Sequence, residues 1–548
     1  MPNGSGKPLD PRILQDRLFA ALSTMFAAEV PLYGGALAVN DACNDTLLEL
    51  LGMVQPGLDG GAVRGLAGRR LGAERHGAIR IGRGDEYRWV GRLFACFGME
   101  PHGFYDMTSV GAKRQPIMAT AFRSRHRPEH RMFCSLLVSD GFPAPLAARV
   151  RDALAGRDVF GDRARALVER CEADRGLREA DGMALIGECV GRIFAWTGRG
   201  GPVELYRDLV AADLRIAADI ACFPTHHLNH LACNSLAIDL FTAAMRLCLA
   251  ERDADWFRGR ATGVLSSVAE QADDDRVRLL LPWAPAALPP ARGVAPAAVV
   301  GLVERLVSRL GDDTHALHRL PHAGFKETTE GPPADVPVLL RQDSYRALTE
   351  RVLFSDAGGE TEIGSHTARF GEVEQRGYAC SVAGRRAYDA GLAAADAAGT
   401  DPGSGGAGAA FAGLGRTATE LFTRGQILGR YRPSAAGLAA RHAGHPLPTT
   451  LPALLAAGFV TRQPLRYEDF LPVSAAGIFA SNLRQQGTGA MGAPAPPRQR
   501  GELEAILGRG IIDPVAAEAA TEAASIRETL AALGIAAADP QGCDHARE

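Results

Sequence analysis

The sequence lacks the features of three common functional classes. No segment collects basic residues densely, and 60 lysines and arginines stand against 63 aspartates and glutamates, for a net charge of −3. That balance excludes the electrostatic footprint of a nucleic-acid-binding protein. No apolar run reaches the ~18 residues that cross a bilayer, and no basic segment followed by an apolar one opens the chain. We expect a cytoplasmic protein with neither nucleic acid nor membrane as a partner.

The sequence also has no C-x-x-C pair. Its 10 cysteines are scattered from Cys43 to Cys543, and several lie within apolar runs, such as Cys96 in LFACFGM and Cys248 in MRLCLA. Cysteines in such positions are typical of reduced core residues rather than of disulfides or a zinc site. We expect them to be free thiols.

What is present is typical of a folded, enzyme-sized chain of 548 residues, with 46% hydrophobic and 22% charged residues. Apolar residues recur at helical spacing over 11–52 and 145–220. Short segments that favour strands alternate with them, namely HGAIRIG, GMEPHGFYDM, HRMFCSLLVSD, PTHHLNHLA, VPVLLRQDSY and GSHTARFGEVEQRG. The sequence therefore predicts an α+β fold.

The chain divides into four predicted parts. These are a mixed N-terminal part (1–238), a helical insertion (239–321), a central β part (322–395) and a C-terminal part (396–548) that ends in a helix over about 513–534. Two apolar sets at i, i+3, i+4 and i+7 predict helices in the insertion: Phe241, Ala244, Met245 and Cys248, and Val299, Leu302, Val303 and Leu306. Stretches rich in glycine, alanine and proline predict loops at 397–415 and 485–501.

The segment ERHGAIRIG combines a histidine and an arginine. His76 and Arg80 are four residues apart, so on a strand both side chains lie on one face, with the small Ala78 between them. A metal ligand and an anion-binding guanidinium would then share a wall. The alternative is a half-buried histidine with a surface arginine.

Three histidines crowd into five positions of FPTHHLNHLACNS. On a strand, His226 and His230 face one way and His227 the other, so the three are not expected to bind one metal. Imidazole is the commonest protein ligand for metals, which favours a metal site here. Hydrogen-bonded core histidines are the alternative.

The segment GSHTARFGEVEQRG carries two carboxylates. Alternation along a single strand places five side chains on one face, unless Gly371 introduces a bulge: His366, Ala368, Phe370, Glu372 and Glu374. Arg369 would lie on the opposite face. A buried carboxylate needs a counter-charge, so Glu372 is either a metal ligand or half of an ion pair with an arginine.

Two histidines and a carboxylate from separate strands satisfy a facial triad, which leaves three positions for substrate and oxygen. Zinc hydrolases use similar ligands, so the set indicates a metalloenzyme rather than one metal. Farther along the chain, the segment YEDFLPVSAAGIF contains the hydroxyl of Ser474 and main-chain N–H groups that could bind a carboxylate. A helix that starts at Ser474 is the alternative there.

Taken together, these segments resemble the 2-oxoadipate dioxygenase/decarboxylase family, also called hydroxyglutarate synthase, whose fold is related to the vicinal oxygen chelate metalloenzymes. The resemblance rests on long strings that span most of the chain: EVPLYG (29–34), ERHGAIRIG (74–82), TAFR (120–123), NHL (229–231), EGPP (330–333), LLRQDSYRAL (339–348), HTARFGEVEQRG (366–377) and YEDFLPVSAAGIF (467–479).

The resemblance implies the ligands, the cofactor and the reaction. His76, His230 and Glu372 would bind Fe(II), or Zn or Mn in the purified protein. Arg80, Val473 and Ser474 would line the substrate pocket, with Arg80 paired with a substrate carboxylate as a catalytic group. The implied fold is a central vicinal-oxygen-chelate-like sheet or barrel that holds the metal, surrounded by helices. The implied reaction converts 2-oxoadipate and O2 to 2-hydroxyglutarate and CO2, as part of lysine catabolism.

The chain departs from the family pattern in two places. Met118 in IMATAFR replaces a histidine of the family string VHSTAFR, and we expect that position to lie near the pocket. The helical insertion replaces a shorter connection. Two alternatives to the family reaction stay open: a redox-neutral, metal-dependent isomerase or hydrolase on the same scaffold, and a non-catalytic relative that binds a small molecule. The sequence makes no prediction of oligomeric state.

Overall fold

The computed structural model describes residues 7–55, 58, 74–108, 115–124, 130–281, 284, 288–322, 325–355, 359, 361–400, 408–471 and 497–536. Helices and strands are mixed along these residues, which confirms the α+β class. No helix in these ranges is long and apolar enough to span a membrane. The nine cysteines within them are buried and free, as predicted, whereas Cys543 lies outside them.

A mixed sheet of eight strands forms the centre of the fold. The strands are β1 (Glu74–Ile81), β2 (Glu100–Asp106), β3 (Ile117–Arg123), β4 (Arg131–Leu137), β6 (His230–Asn234), β7 (Phe325–Glu330), β8 (Leu340–Tyr345) and β11 (Phe370–Arg376). Their order across the sheet is β2-β3-β4-β1-β6-β11-β8-β7. Among the described strands, β2 and β7 stay at opposite edges, so the sheet is open and does not close into a barrel.

The two faces of this sheet cover different apolar cores, because successive side chains of a strand point to opposite faces. Ile79 and Ile81 of β1 belong to a large core that also contains the N-terminal helices. Ala78 belongs to a smaller core that includes Phe133 and Phe470. His76 and Arg80 are each two positions from Ala78, so they lie on the same face of the sheet as Ala78.

Helices cover the sheet. They are α1 (Pro11–Glu29), α2 (Pro31–Val54), α3 (Gly84–Cys96), α4 (Ala144–Ala155), α5 (Gly161–Asp174), α6 (Glu179–Glu188), α7 (Val203–Ala211) and α8 (Arg215–Ala221), with a π-helical turn at Cys189–Ile193. The helices predicted over 11–52 and 145–220 are thus confirmed. Pro31 begins α2 and ends the continuous helical pattern, since proline suits the first turn of a helix but not its interior.

The segment 239–321 is helical as well. It contains most of α9 (Ile238–Cys248), then α10 (Ala254–Gln271), α11 (Asp274–Leu280) and α12 (Pro296–Leu310), followed by 3-10 turns at Asp313–His315 and Leu317–Arg319. Both predicted apolar sets are buried. α10 packs against α9 and α12, and α12 packs in turn against α2. The amphipathic spacing therefore predicted the buried faces correctly.

Two small sheets and the remaining helices complete the fold. One sheet joins β5 (Arg199–Gly200), β9 (Thr349–Ser355) and β10 (Thr361–Thr367), and the other pairs β12 (Gly429–Pro433) with β13 (Val460–Pro464). The last helices are α13 (Val382–Ala397), α14 (Ala418–Thr423), α15 (Ala435–His442), α16 (Leu451–Ala456), α17 (Arg500–Leu507) and α18 (Pro514–Ala532). α18 confirms the predicted C-terminal helix. Parts of both predicted loops, 401–407 and 485–496, lie outside the described residues.

Candidate metal centre

Three adjacent central strands bring His76, His230 and Glu372 together. β6 pairs antiparallel with β1 and parallel with β11, and Ala232 of β6 lies opposite His76 on one side and opposite Glu372 on the other. Residues in register share a face of the sheet, and His230 shares that face because it is two residues from Ala232. The small side chain of Ala232 leaves space in the middle of the three polar groups.

The three side chains converge at short distances. Nε2 of His76 lies 2.8 Å from Oε2 of Glu372, and Nε2 of His230 lies 3.5 Å from the same oxygen. The relative exposures are 0% for His76, 4% for His230 and 0% for Glu372. One nitrogen from each histidine and one carboxylate oxygen all lie within 4.8 Å of one another. These atoms can hold a metal ion from one side.

A second carboxylate orients His76. Oε2 of Glu374 lies 2.8 Å from Nδ1 of His76. The guanidinium groups of Arg131 and Arg376 donate to both oxygens of Glu374, at 2.7–2.9 Å, which compensates the charge of that carboxylate. Nδ1 of His76 donates to Glu374, and Nε2 is the nitrogen that faces Glu372. Metal-binding histidines are commonly held by a carboxylate in this way.

The protonation states suit metal binding. Burial lowers the pKa of His230 to about 4, so its imidazole is neutral. Burial raises the pKa of Glu372, but His230, His76 and Gln342 lower it more, and the net shift is downward. For His76, burial lowers the pKa while Glu374 and Glu372 raise it, with a net upward shift. A metal ion would displace the resulting proton from Nε2.

One oxygen of Glu372 is suited to bind a cation. Oε2 of Glu372 contacts both histidines and accepts a hydrogen bond from the amide of Gln342, whereas Oε1 is buried with no hydrogen-bond partner among the described residues. A buried carboxylate oxygen without a partner is costly unless an ion compensates it. The donor set therefore fits a divalent metal bound by two imidazoles and one carboxylate.

Aromatic rings enclose the two histidines. Phe470 packs edge-on against His76, with ring centroids 4.7 Å apart, and His230 stacks on Phe370 at 5.0 Å. Phe470 also contacts Phe133 at 5.2 Å. The described chain continues to Leu471, so the predicted pocket residues Val473 and Ser474 lie outside the described residues.

Arg80 is buried at the other end of β1, on the face of His76. Its Nη1 donates to Oδ2 of Asp219 at 2.6 Å. The charge of Arg80 is one of the influences that lower the pKa of His230, which indicates that the guanidinium lies near the metal ligands. Because Arg80 is 3% exposed, the predicted alternative, a surface arginine, is wrong.

His227 and His366 belong to a second cluster around Asp219. Nε2 of His227 lies 3.0 Å from Oδ1 of Asp219, and Nε2 of His366 lies 2.7 Å from it. His366 is on β10 of the three-stranded sheet, so the single strand predicted from His366 to Glu374 is wrong. The chain changes sheets at Ala368 and Arg369, and Gly371 introduces no bulge into β11.

His226 also differs from the prediction. It lies in the segment before β6, not on the strand with His230, and is buried beside the ring of Phe160. The three crowded histidines therefore go to three places: one to the metal centre, one to Asp219 and one to the core. Strand alternation could not separate them, because β6 begins only at His230.

Comparison with known proteins identifies the family. The 2-oxoadipate dioxygenase/decarboxylase family matches residues 18–250 and 310–482. The 2-oxoadipate dioxygenase/decarboxylase of Pseudomonas putida is 33% identical over 544 residues, which are 96% of this chain and 98% of the relative. The chain belongs to the 2-oxoadipate dioxygenase/decarboxylase family.

Other members extend this similarity. The Escherichia coli 2-oxoadipate dioxygenase/decarboxylase is 33% identical over 482 residues, 86% of this chain and 88% of that one. The crystal structure of the hydroxyglutarate synthase from Pseudomonas putida in complex with 2-oxoadipate matches with a TM-score of 0.66 at 30% identity. That match covers 97% of this chain and 100% of the other. Residues 251–309, which include α10 and α11, lie outside the family match.

Met118 does not lie near the pocket, contrary to the prediction. Across β3, β4 and β1 it is in register with Leu136 and Ile81, and all three belong to the large core on the opposite face from His76 and Arg80. Met118 therefore packs in the core behind the sheet, away from the metal ligands.

Sequence reasoning missed Asp219, Gln342 and Arg131. Asp219 had a signal, since it is the lone acid in the apolar helix sequence RIAADIA of α8. Gln342 and Arg131 had none of their own, because polar residues on strands are common and their partners lie far away in the chain.

Proposed function

We propose that this chain is an Fe(II)-dependent 2-oxoadipate dioxygenase/decarboxylase, which converts 2-oxoadipate and O2 to 2-hydroxyglutarate and CO2. The observation that carries the proposal is the buried set of His76, His230 and Glu372, in which one carboxylate oxygen has no partner among the described residues. Membership of the family supports the reaction, and so does a structurally similar family member bound to 2-oxoadipate.

In this proposal His76, His230 and Glu372 hold the metal. When bound, Fe(II) would supply a redox-active Lewis acid with open positions for the 2-oxo acid and O2. The atoms balance, since the substrate loses C1 as CO2 and the product retains both atoms of O2. Zn in the same site would supply a Lewis acid only.

The chain's own residues perform three tasks. Glu374, fixed between Arg131 and Arg376, keeps Nε2 of His76 directed at the centre. The rings of Phe470 and Phe370 exclude water beside the histidines. Arg80 pairs with a substrate carboxylate, because a planar guanidinium matches a carboxylate with two parallel hydrogen bonds. Val473 and Ser474 are proposed to complete the substrate pocket.

Three broader predictions accompany this function. The open sheet is proposed to be of the vicinal oxygen chelate type, with 239–321 as an insertion between the N-terminal and central parts and 396–548 as a C-terminal part. We also propose a cytoplasmic location and a role in lysine catabolism.

Oxygen consumption tests the proposal. Protein purified without oxygen is loaded with Fe(II), and dissolved O2 is followed after addition of 2-oxoadipate, with 2-oxoglutarate as a second substrate. We expect O2 uptake with an equal amount of 2-hydroxyglutarate, and none for Glu372→Ala or for Zn-loaded protein. Turnover of a substrate without O2 uptake would instead indicate a redox-neutral isomerase or hydrolase.

The role of Arg80 is tested separately. Arg80→Ala should raise the KM for 2-oxoadipate, because the substrate carboxylate loses its partner. Arg207→Ala serves as the control, since Arg207 pairs with the exposed Glu204 and Glu362 outside the site. Unchanged affinity and turnover in Arg80→Ala would contradict the assignment.

A further inference from the structure

The cluster around Asp219 has no role in the function proposed so far. Asp219 is on α8, is 2% exposed and contacts four side chains from three segments of the chain. Oδ1 meets Nε2 of His227 at 3.0 Å and of His366 at 2.7 Å, while Oδ2 accepts from Arg80 at 2.6 Å and from Asn229 at 3.1 Å. Each carboxylate oxygen of Asp219 therefore has two hydrogen-bond partners.

By residue type this cluster repeats the metal centre, with one carboxylate and two histidines whose ligand atoms lie within 4.8 Å of one another. Its electrostatics differ. A guanidinium already neutralises Asp219, and a divalent ion beside it would be repelled by Arg80 in a buried setting. Glu372, in contrast, contacts no arginine and has an oxygen without a partner among the described residues.

The hydrogen bonds also indicate that the histidine nitrogens facing Asp219 carry protons rather than bind a metal ion. Since Asp219 is an acceptor, both histidines donate to it through Nε2. The hydroxyl of Tyr206 lies 3.1 Å from Nδ1 of His366, the nitrogen left as an acceptor. Burial raises the pKa of Asp219, but Arg80, His227 and His366 lower it more, with a net shift well below the usual value. The carboxylate stays ionised, and each imidazole donates its Nε2 proton to it.

This arrangement fixes Arg80. A guanidinium is planar with five N–H donors in a rigid fork, so a bond at Nη1 sets the plane and the direction of the remaining donors. Asp219 cannot rotate, because His227, His366 and Asn229 hold it from two other segments. Arg80 shares its strand and face with His76. The position of Asp219 therefore determines where the Arg80 guanidinium lies beside the metal centre.

We propose that Asp219, held by His227 and His366, is a positioning residue that fixes the Arg80 guanidinium for a substrate carboxylate, and that this second cluster binds no metal. The first part rests on the proposed function, in which Arg80 binds the substrate.

Kinetics of Asp219→Asn test the positioning role. The KM for 2-oxoadipate should rise about 10- to 100-fold, because a misplaced arginine loses its geometry, and kcat should stay within about threefold. Adding Asp219→Asn to Arg80→Ala should change kcat/KM by no more than about twofold, since the two residues act through one contact. Asp208→Asn is the matched control, because Asp208 pairs with Arg149 on the exposed surface. Independent, additive losses would overturn the proposal.

Variants of His366 provide a second route if Asp219→Asn does not fold. His366→Gln retains an N–H donor for Asp219 and should keep the wild-type KM, whereas His366→Phe cannot donate and should raise KM. Metal analysis of the purified proteins should give one ion per chain in the wild type and in both variants. A second ion that is lost in both variants would overturn the proposal.

A crystal structure of Asp219→Asn tests the positioning role of Asp219 without an activity measurement. The Arg80 guanidinium should leave its wild-type position or occupy more than one. A guanidinium that stays in place would overturn the positioning role even if the wild type acts on 2-oxoadipate. If the wild type acts on no 2-oxo acid, the proposed function fails, and the metal count and this structure still test Asp219.

Discussion

Two buried clusters of this protein contain the same residue types but differ in what neutralises their carboxylate. At the metal centre, Glu372 contacts His76 and His230 and no arginine, and one of its oxygens has no partner among the described residues. In the second cluster, Asp219 contacts two histidines and also Arg80 at 2.6 Å. The comparison therefore depends on the arginine, which pairs with the carboxylate in the second cluster and not in the metal centre as the described residues show it.

The largest expected effect separates the clusters by their metal content. His76→Gln should lose the bound metal and reduce oxygen consumption by about 1,000-fold or more, because the metal supplies several kcal/mol of transition-state stabilisation. The matched His227→Gln should retain one metal ion per chain. Metal analysis and oxygen-electrode rates measure both. Metal loss in His227→Gln would remove the distinction between the clusters.

In metal-free protein, the carboxylate of the second cluster should contribute more to stability than the carboxylate of the metal centre does. In metal-free protein, Asp219→Asn should cost about 3–5 kcal/mol of unfolding free energy, because it leaves the buried charge of Arg80 without its carboxylate. Glu372→Gln should cost less, since no guanidinium among the described residues pairs with Glu372. Urea unfolding compares the two variants. Equal losses of unfolding free energy in the two variants would contradict the importance assigned to the ion pair between Asp219 and Arg80.

A smaller effect is expected behind the metal centre. Glu374→Gln should lower metal affinity by about 10- to 100-fold, because His76 loses the carboxylate that fixes its tautomer and orientation. Competition with a chelator measures the affinity. Asp208→Asn, on the surface, should leave it unchanged. An unchanged affinity in Glu374→Gln would mean that packing alone orients His76.

The smallest expected effect is a pH dependence. The folded-state pKa of Asp219 lies well below the usual aspartate pKa of about 4. Its ionic contribution to stability is therefore complete above that usual value and is lost as pH falls toward the folded pKa. The difference in unfolding free energy between wild type and Asp219→Asn should be constant from pH 8 to pH 5 and should shrink below about pH 4. A difference that grows in acid would have the wrong sign.

Local patterns predicted much of the fold. Amphipathic spacing located the helices of 11–52 and 239–321 and their buried faces, because periodic burial depends on sequence alone. The same reasoning failed at His366 and Glu374, where the chain passes from one sheet to another between two strands. It failed also for Met118, whose face of the sheet depends on the register with β4.

The sequence by itself determined the family, the α+β class and the residue types available for a metal centre, since these follow from strings and periodicities along the chain. Only the tertiary structure decided which carboxylate meets an arginine. Arg80 and Asp219 are 139 positions apart, and His76 and Glu372 are 296 apart. Charge compensation in a buried site depends on distances of a few ångströms between such segments, which strand order and helix packing set.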